Sequence, residues 1–313
     1  MFTLCCLYTN PLLLHKLCDS IRSASFDYIT KFIDNSLGNI DSYQAISKFI
    51  AESKTRYICI AHQDVDFRSL TLPYLHKQIQ KIQLIDSRAA LFGCAGISHD
   101  GTQGVGHFFD STGEHMWGFP NNGRVSSLDE FFLVLDREKP VSVTEGLTGF
   151  HFYGTDLCVN AARAGYSAYA IDYPVLHNCT PGKIQPDFFE ARQRFQTHLQ
   201  CAMGHGFVKT TCTTLYAGKN HIVEMFVFAR SISTLDKPNE EHSRKEMQLA
   251  IHYGYSIYGK VLFHSIYLCV SIYHRISKEL FPFSDKILHF IHRICSDFSW
   301  WSKNWKTRFH LIF

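Results

Sequence analysis

Short apolar runs alternate with segments of helical period along the first sixty residues, and each run ends in a cluster of polar side chains. FTLCCLY, from Phe2 to Tyr8, reads as a buried strand, and Pro11 to Ser23 reads as a helix opened by proline near its first turn. A second strand runs from Phe26 to Ile33 and ends at Asp34-Asn35-Ser36. Asp41 to Ser53 then places Ala45, Ile46, Phe49 and Ile50 at the spacing of an amphipathic helix, and Arg56 to Ala61 is a third strand. Alternation at this pitch predicts right-handed βαβ units, hence an α/β fold with a Rossmann-like, mainly parallel sheet and helices on both faces. Ligands bind such sheets beyond the carboxyl ends of the strands. Those ends carry Tyr8-Thr9-Asn10, Asp34-Asn35-Ser36 and the stretch AHQDVDF, Ala61 to Phe67.

AHQDVDF sets two acids, Asp64 and Asp66, one residue apart directly after an apolar run. In extended chain, side chains at i and i+2 project to one side, so the two carboxylates would converge and repel unless a cation lay between them. Mg2+ or Mn2+ suits oxygen ligands and leaves positions for phosphate or water. A solvated turn is the other reading of Asp-x-Asp, and the spacing alone does not separate the two. His62 and Gln63 are read as shaping the strand end.

The rest of the chain is less regular. LFGCAGIS contains Gly93 and Gly96, His99 to Gly123 reads as a long glycine-rich loop, and Arg124 to Asp136 as one strand. A turn and helix start at Gly154 and close at Gly165, and SAYAIDYPVLHN gives a strand ending near His177. Beyond about Lys183 helical segments dominate, with a polar linker at Asp236 to Lys245. Two regions are therefore expected, a catalytic one over 1–190 and a mostly helical extension over 191–313.

A length of 313 residues with 46% hydrophobic content suits a packed globule. A formal net charge of +3, without a basic stripe, argues against nucleic acid as partner. Eleven cysteines, an odd number with no CxxC pair, point to a reducing cytosol. The opening residues show no secretory signal, and no segment reaches the roughly 18 apolar residues that span a bilayer. In the tail, Trp300, Trp301 and Trp305 stand among Lys303, Lys306 and Arg308. This pattern fits either peripheral contact with anionic lipid or an oligomer surface, including that of a homo-oligomer.

Two longer strings, AHQDV and HFYGTDLC (His151 to Cys158), followed by His177, carry a resemblance. In these parts and their order, roughly Met1 to Phe189 resembles the GT-A nucleotide-sugar glycosyltransferases of glycosyltransferase family 2. It is most similar to the branch with the glycosyltransferase-like domain associated with streptomycin biosynthesis. The resemblance implies a GT-A fold and an inverting transfer from a nucleoside-diphosphate sugar, most often UDP-linked, to a glycan or lipid-linked acceptor. It also implies a role in bacterial surface-polysaccharide assembly, which the cysteine usage and the tail would place in the cytoplasm, or there at the inner face of the membrane. Position by position, it implies that Asp64, Asp66 and His177 hold Mn2+ or Mg2+ and that Asp64 also contacts the nucleotide. Tyr8, Thr9, Asn10 and Asp34 would line the nucleotide pocket, Gly93 and Gly96 would form a glycine turn beside the sugar, and Asp156 would be the general base. Two departures stand out: Thr155 replaces the usual Glu before Asp156, and no Gln-x-x-Arg-Trp motif follows.

That chemistry needs a cation against the charge of the leaving diphosphate and a carboxylate to take the acceptor's proton. The same residues would also serve metal-dependent phosphoester hydrolysis or nucleotidyl transfer. A degenerate nucleotide-sugar-binding scaffold is the third alternative. Asp129 and Glu130 are either acceptor contacts or a solvated strand end, and Glu145, His151 and Tyr153 either line an acceptor pocket or belong to the core.

Overall fold

The computed structural model describes residues 2–21, 28–68, 70–101, 103–118, 123–178, 187–204 and 206–217. The expected tail segment and the linker at 236–245 lie outside them. In chain order the elements begin β1 (Phe2–Tyr8), α1 (Pro11–Ile21), β2 (Tyr28–Asp34), α2 (Ser42–Glu52), β3 (Tyr57–Ala61), β4 (Val65–Asp66) and α3 (Leu72–Ile85). Then come β5 (Ala89–Gly93), β6 (Ala95–Ser98), β7 (Gly104–Asp110), β8 (Gly113–Trp117), β9 (Arg124–Leu128) and β10 (Phe132–Asp136). The last are α4 (Tyr153–Arg163), β11 (Ser167–Ala170), β12 (Leu176–His177), α5 (Phe188–Met203), β13 (Gly206–Lys209) and β14 (Thr214–Ala217).

The chain divides into two compact units, Met1–Pro181 with Glu190–Phe195 and Val208–Thr213, and Gly182–Phe189 with Gln196–Phe207 and Thr214–Phe313. The first holds one large mixed sheet in the order β2-β1-β3-β10-β5-β11-β9-β6-β7-β12-β4, with β8 added on β7. β1 runs parallel to β2 and β3, and β11 parallel to β5, while β10 inserts antiparallel between β3 and β5. This is the α/β architecture expected of a GT-A fold. Its far half is antiparallel through β9, β6, β7 and β8, so the sheet is parallel mainly at the end that carries β1, β2 and β3.

Strand alternation sends side chains to two cores. Phe2, Leu4 and Cys6 of β1 join Leu17 and Ile21 of α1 and Leu72, Leu75 and Ile79 of α3 on one face. Cys5, Ile58 and Ile60 join Tyr43, Ile46 and Phe49 of α2 and Leu157 and Ala161 of α4 on the other. Helix α2 starts in a capping box, with the Asp41 carboxylate accepting from Gln44 N and the Gln44 side chain accepting from Asp41 N.

Three sequence expectations change. Arg124 to Asp136 is two strands, broken at Asp129-Glu130-Phe131, because β9 pairs with β6 and β11 whereas β10 inserts between β3 and β5, so the chain changes neighbours within the one sheet. The glycine-rich region 99–123 contains the β7–β8 hairpin, in which Phe108 pairs with His115 and Gly106 with Trp117. The strand expected to end near His177 is β11 followed by the separate two-residue β12.

Candidate active site

Strands β1, β2 and β3 end on the same side of the sheet, so their following loops converge. Gln63 ties two of these loops together: its Oε1 accepts from Thr9 N and Asn10 N, both at 2.9 Å, and its Nε2 donates to Thr9 Oγ1 at 3.1 Å. Beside them Asp34 ends β2, exposed, with one oxygen accepting from Ser36 N at 2.8 Å. That backbone bond, and then the Ser36 side chain, hold the Asp34 carboxyl below its ordinary value. Tyr8, Thr9, Asn10 and Asp34 therefore form one ledge whose polar groups face away from the core.

The chain turns at 62–65, where Val65 N bonds His62 O, and β4 pairs back on β12 so that His177 lies opposite Val65. Asn178 pins the turn by donating to Asp64 O from its backbone N at 2.9 Å and from Nδ2 at 3.1 Å. This pairing gathers His62, Asp64 and His177, one ligand atom of each within 4.8 Å of the others. His177 Nε2 is 3.4 Å from Asp64 Oδ1, and the two imidazole rings are 5.5 Å apart. Burial, then the adjacent His177, push His62 down to about 4, so it is neutral near pH 7. Burial pushes Asp64 up, but the bond and charge of His177 and the charge of His62 outweigh it, and its carboxyl stays below the ordinary value. A neutral imidazole and an ionised carboxylate are the states a cation requires, so the donor set fits a divalent metal.

A second group adjoins this cluster. Tyr153 at the start of α4 sets its hydroxyl 2.7 Å from His62 Nε2 and 3.1 Å from Glu130 O, to which it donates. A ligating histidine held from its other nitrogen in this way is the usual outer support of a metal site. The Glu130 carboxylate is partly buried and accepts from Gly154 N at 3.4 Å. Burial, then the neighbouring Asp129 charge, push its pKa up to about 8. Asp129 accepts a 2.5 Å bond from Thr211 Oγ1, which brings the turn at 210–213 to the same rim.

Several expected site residues lie elsewhere. Asp66 is not in the cluster, because the chain turns at 62–65 instead of running extended, and its Oδ1 accepts from Arg68 N at 2.6 Å. Arg68 there has φ 56, a left-handed conformation that the carboxylate cap supports. Asp156 is fully buried and accepts from Thr144 N at 2.6 Å and Thr144 Oγ1 at 2.8 Å. It anchors the loop before α4 and presents no oxygen to an acceptor. Gly93 and Gly96 are buried in β5 and β6 and do not form a turn. A Cβ on Gly96 would lie 2.2 Å from Ser127 O, and one on Gly93 would lie 3.0 Å from Leu128 Cδ2, so both serve strand packing.

Sequence reasoning read His62 as shaping the strand end and left Glu130 and Tyr153 open between acceptor contacts and structural roles, whereas the structure links all three through the Tyr153 hydroxyl. His62 carried a signal, since it precedes Asp64 in the same string, and Glu130 carried one in its pairing with Asp129, at what proves to be the break between β9 and β10.

The α/β sheet thus carries a two-histidine, one-aspartate cluster beside a polar ledge at its strand ends. Against known protein families, no family model matches. The chain is 30% identical over 188 residues, 56% of its own length and 75% of the relative's, to the protein called ATP synthase subunits region ORF 6 of Fuscovulum blasticum. It belongs to that protein's family. Among solved structures it is similar to residues 1-349 of S. aureus TarS in complex with UDP-GlcNAc, with TM-score 0.41 and 10% identity over 86% of this chain and 79% of that one. Against a longer TarS chain the TM-score is 0.40 at 10% identity over 83% of this chain, which spans 46% of that chain's length. It is also similar to the mannosyltransferase PcManGT of Pyrobaculum calidifontis in complex with GDP-Man and Mn2+, with TM-score 0.39 and 10% identity over 98% of this chain and 83% of that one.

Proposed function

We propose that this chain is a metal-dependent glycosyltransferase that moves a sugar from a nucleoside diphosphate to an acceptor hydroxyl. The observation that carries the reading is the Gln63 bridge, which joins the Thr9–Asn10 ledge to the turn bearing His62 and Asp64. A nucleotide on the ledge thereby delivers its diphosphate to the metal ligands.

The Tyr8–Asn10 loop and Asp34 bind the nucleoside, and His62, Asp64 and His177 hold the cation, which when bound offsets the charge developing on the diphosphate. With two imidazoles in the donor set, Mn2+ is favoured over Mg2+, which prefers oxygen ligands. The acceptor oxygen attacks the anomeric carbon, the bond from that carbon to the phosphate oxygen breaks, and the nucleoside diphosphate leaves with the electron pair. Glu130, whose backbone carbonyl accepts from the Tyr153 hydroxyl that meets His62 and whose carboxylate accepts from Gly154 N, takes the acceptor proton in place of Asp156. One displacement inverts the anomeric centre. The acceptor is a glycan or lipid-linked glycan of bacterial surface-polysaccharide assembly, with UDP as the first nucleotide to test. The enzyme acts in the cytoplasm at the inner face of the membrane, where the 248–313 tail meets lipid or a second copy.

The test is release of nucleoside diphosphate from UDP-, GDP-, CDP- and dTDP-sugars with Mn2+, with and without a mixture of glycan acceptors. Acceptor-stimulated release, with the product anomer opposite to the donor's by NMR, is the expected result. Release by water that no acceptor improves would favour a phosphoester hydrolase, and binding without turnover would favour a scaffold.

A further inference from the structure

We infer that Phe131 is a positioning residue of the cation site, and that its ring strengthens binding of the divalent ion by holding the face of His177. The inference rests on the proposed role of His62, Asp64 and His177 as ligands. The two histidines arrive on different parts of the chain. His62 follows β3, whereas His177 ends β12, a strand of only two residues that is too short for its ladder to fix a side chain. Phe131 meets both. Its carbonyl accepts from His62 N at 3.0 Å, and its ring stacks on the His177 imidazole with centroids 4.8 Å apart and planes at 17°. The first contact continues the ladder in which Phe132 lies opposite Ala61, so the step from β9 to β10 delivers Phe131 to this point. Phe131 is itself buried and backed by Phe108 at 5.5 Å, which leaves its ring little freedom.

Face and edge of an imidazole have different uses. The lone pair that binds a cation lies in the ring plane, so a stack on the face fixes that plane and leaves the edge for the ion. On that edge His177 Nε2 lies 3.4 Å from Asp64 Oδ1. A cation bound there draws electron density out of the imidazole, and the negative face of a phenyl ring attracts an electron-poor ring more than a neutral one. The stack is therefore stronger in the loaded state than in the empty one, and only such a difference adds to affinity. Core packing alone would favour both states equally.

The test is Mn2+ binding to the full chain, followed by EPR, in wild type, Phe131→Leu, Phe108→Leu and a chain carrying pentafluorophenylalanine in place of Phe131. Leucine removes the ring face and keeps an apolar side chain, whereas fluorination keeps the ring and reverses its charge distribution. Phe108→Leu loosens the same core and leaves the Phe131 ring on His177, so it controls for packing. The dissociation constant is expected to rise about tenfold in Phe131→Leu and about fivefold in the fluorinated chain, and to stay within about twofold in Phe108→Leu. If Phe131→Leu does not fold, the fluorinated chain and Phe108→Leu decide the matter. Wild-type affinity in Phe131→Leu or in the fluorinated chain, or an equal loss in Phe108→Leu, overturns the inference while the cation site stands. Absence of saturable Mn2+ binding by wild type overturns both.

Discussion

Three acids separate by environment. Asp64 faces two imidazoles and is held ionised, Asp66 caps the backbone of Arg68, and Asp156 is sealed under Thr144. Asp64→Asn is expected to abolish detectable Mn2+ binding by EPR and to lower kcat/KM at least about a hundredfold, whereas Asp66→Asn keeps the Mn2+ signal. Asp156→Ala removes the acceptor of the Thr144 N–H and hydroxyl and should cost about 1–3 kcal/mol, seen as a lower urea midpoint. Asp156→Asn, which keeps an acceptor for Thr144, should retain kcat per folded molecule within a few-fold, and a loss of several hundredfold at unchanged stability would return Asp156 to the chemistry. Glu130, raised to about 8, is protonated at neutral pH. Its contribution to stability is therefore complete below the unfolded value of 4.5 and is lost as pH rises through about 8, while a base at this position gains activity over the same interval. The rate should rise with pH to a plateau above about 8, and Glu130→Gln should flatten that limb and cut kcat by roughly a hundredfold or more.

Strand ends fix where these residues meet, and they were also the most legible part of the chain. The apolar runs of β1 and β3 and the helix bounded by Asp41 and Ser53 could be read directly, since period and capping chemistry are local properties. Helix α3 escaped because Lys, Gln and His interrupt its apolar stripe of Leu72, Leu75 and Ile79. The β7–β8 hairpin escaped because its glycines read as loop, although Gly106 must lie flat against β6, where a Cβ would be 2.7 Å from Cys94 O. Glycine in these strands is a packing requirement. Gly96→Ala should lower the thermal midpoint by several degrees or prevent soluble folding, because the new methyl group would displace Ser127 and separate β6 from β9. Melting by circular dichroism reads the effect, and an unchanged midpoint would mean that β6 and β9 pack more loosely than described.

The whole chain shows how motif and environment divide the information. AHQDV coincides with the turn that carries His62 and Asp64 because the string is contiguous, and His177 reaches it because β12 pairs with β4. The string did not disclose that the chain turns at 62–65, which takes Asp66 out and brings His62 in. Burial, which sets Asp156 against Thr144 and raises Glu130, depends on contacts far apart in sequence and leaves no trace in a motif. The central claim is a nucleotide ledge coupled through Gln63 to a His62, Asp64 and His177 cation site. Calorimetric titration of UDP, GDP, CDP and dTDP, with Mn2+ and with EDTA, into wild type and Asp64→Ala tests it most directly. The account predicts saturable binding of one nucleotide that requires both Mn2+ and Asp64. Nucleotide affinity identical in EDTA and in Asp64→Ala, or no binding of any nucleotide, would contradict it.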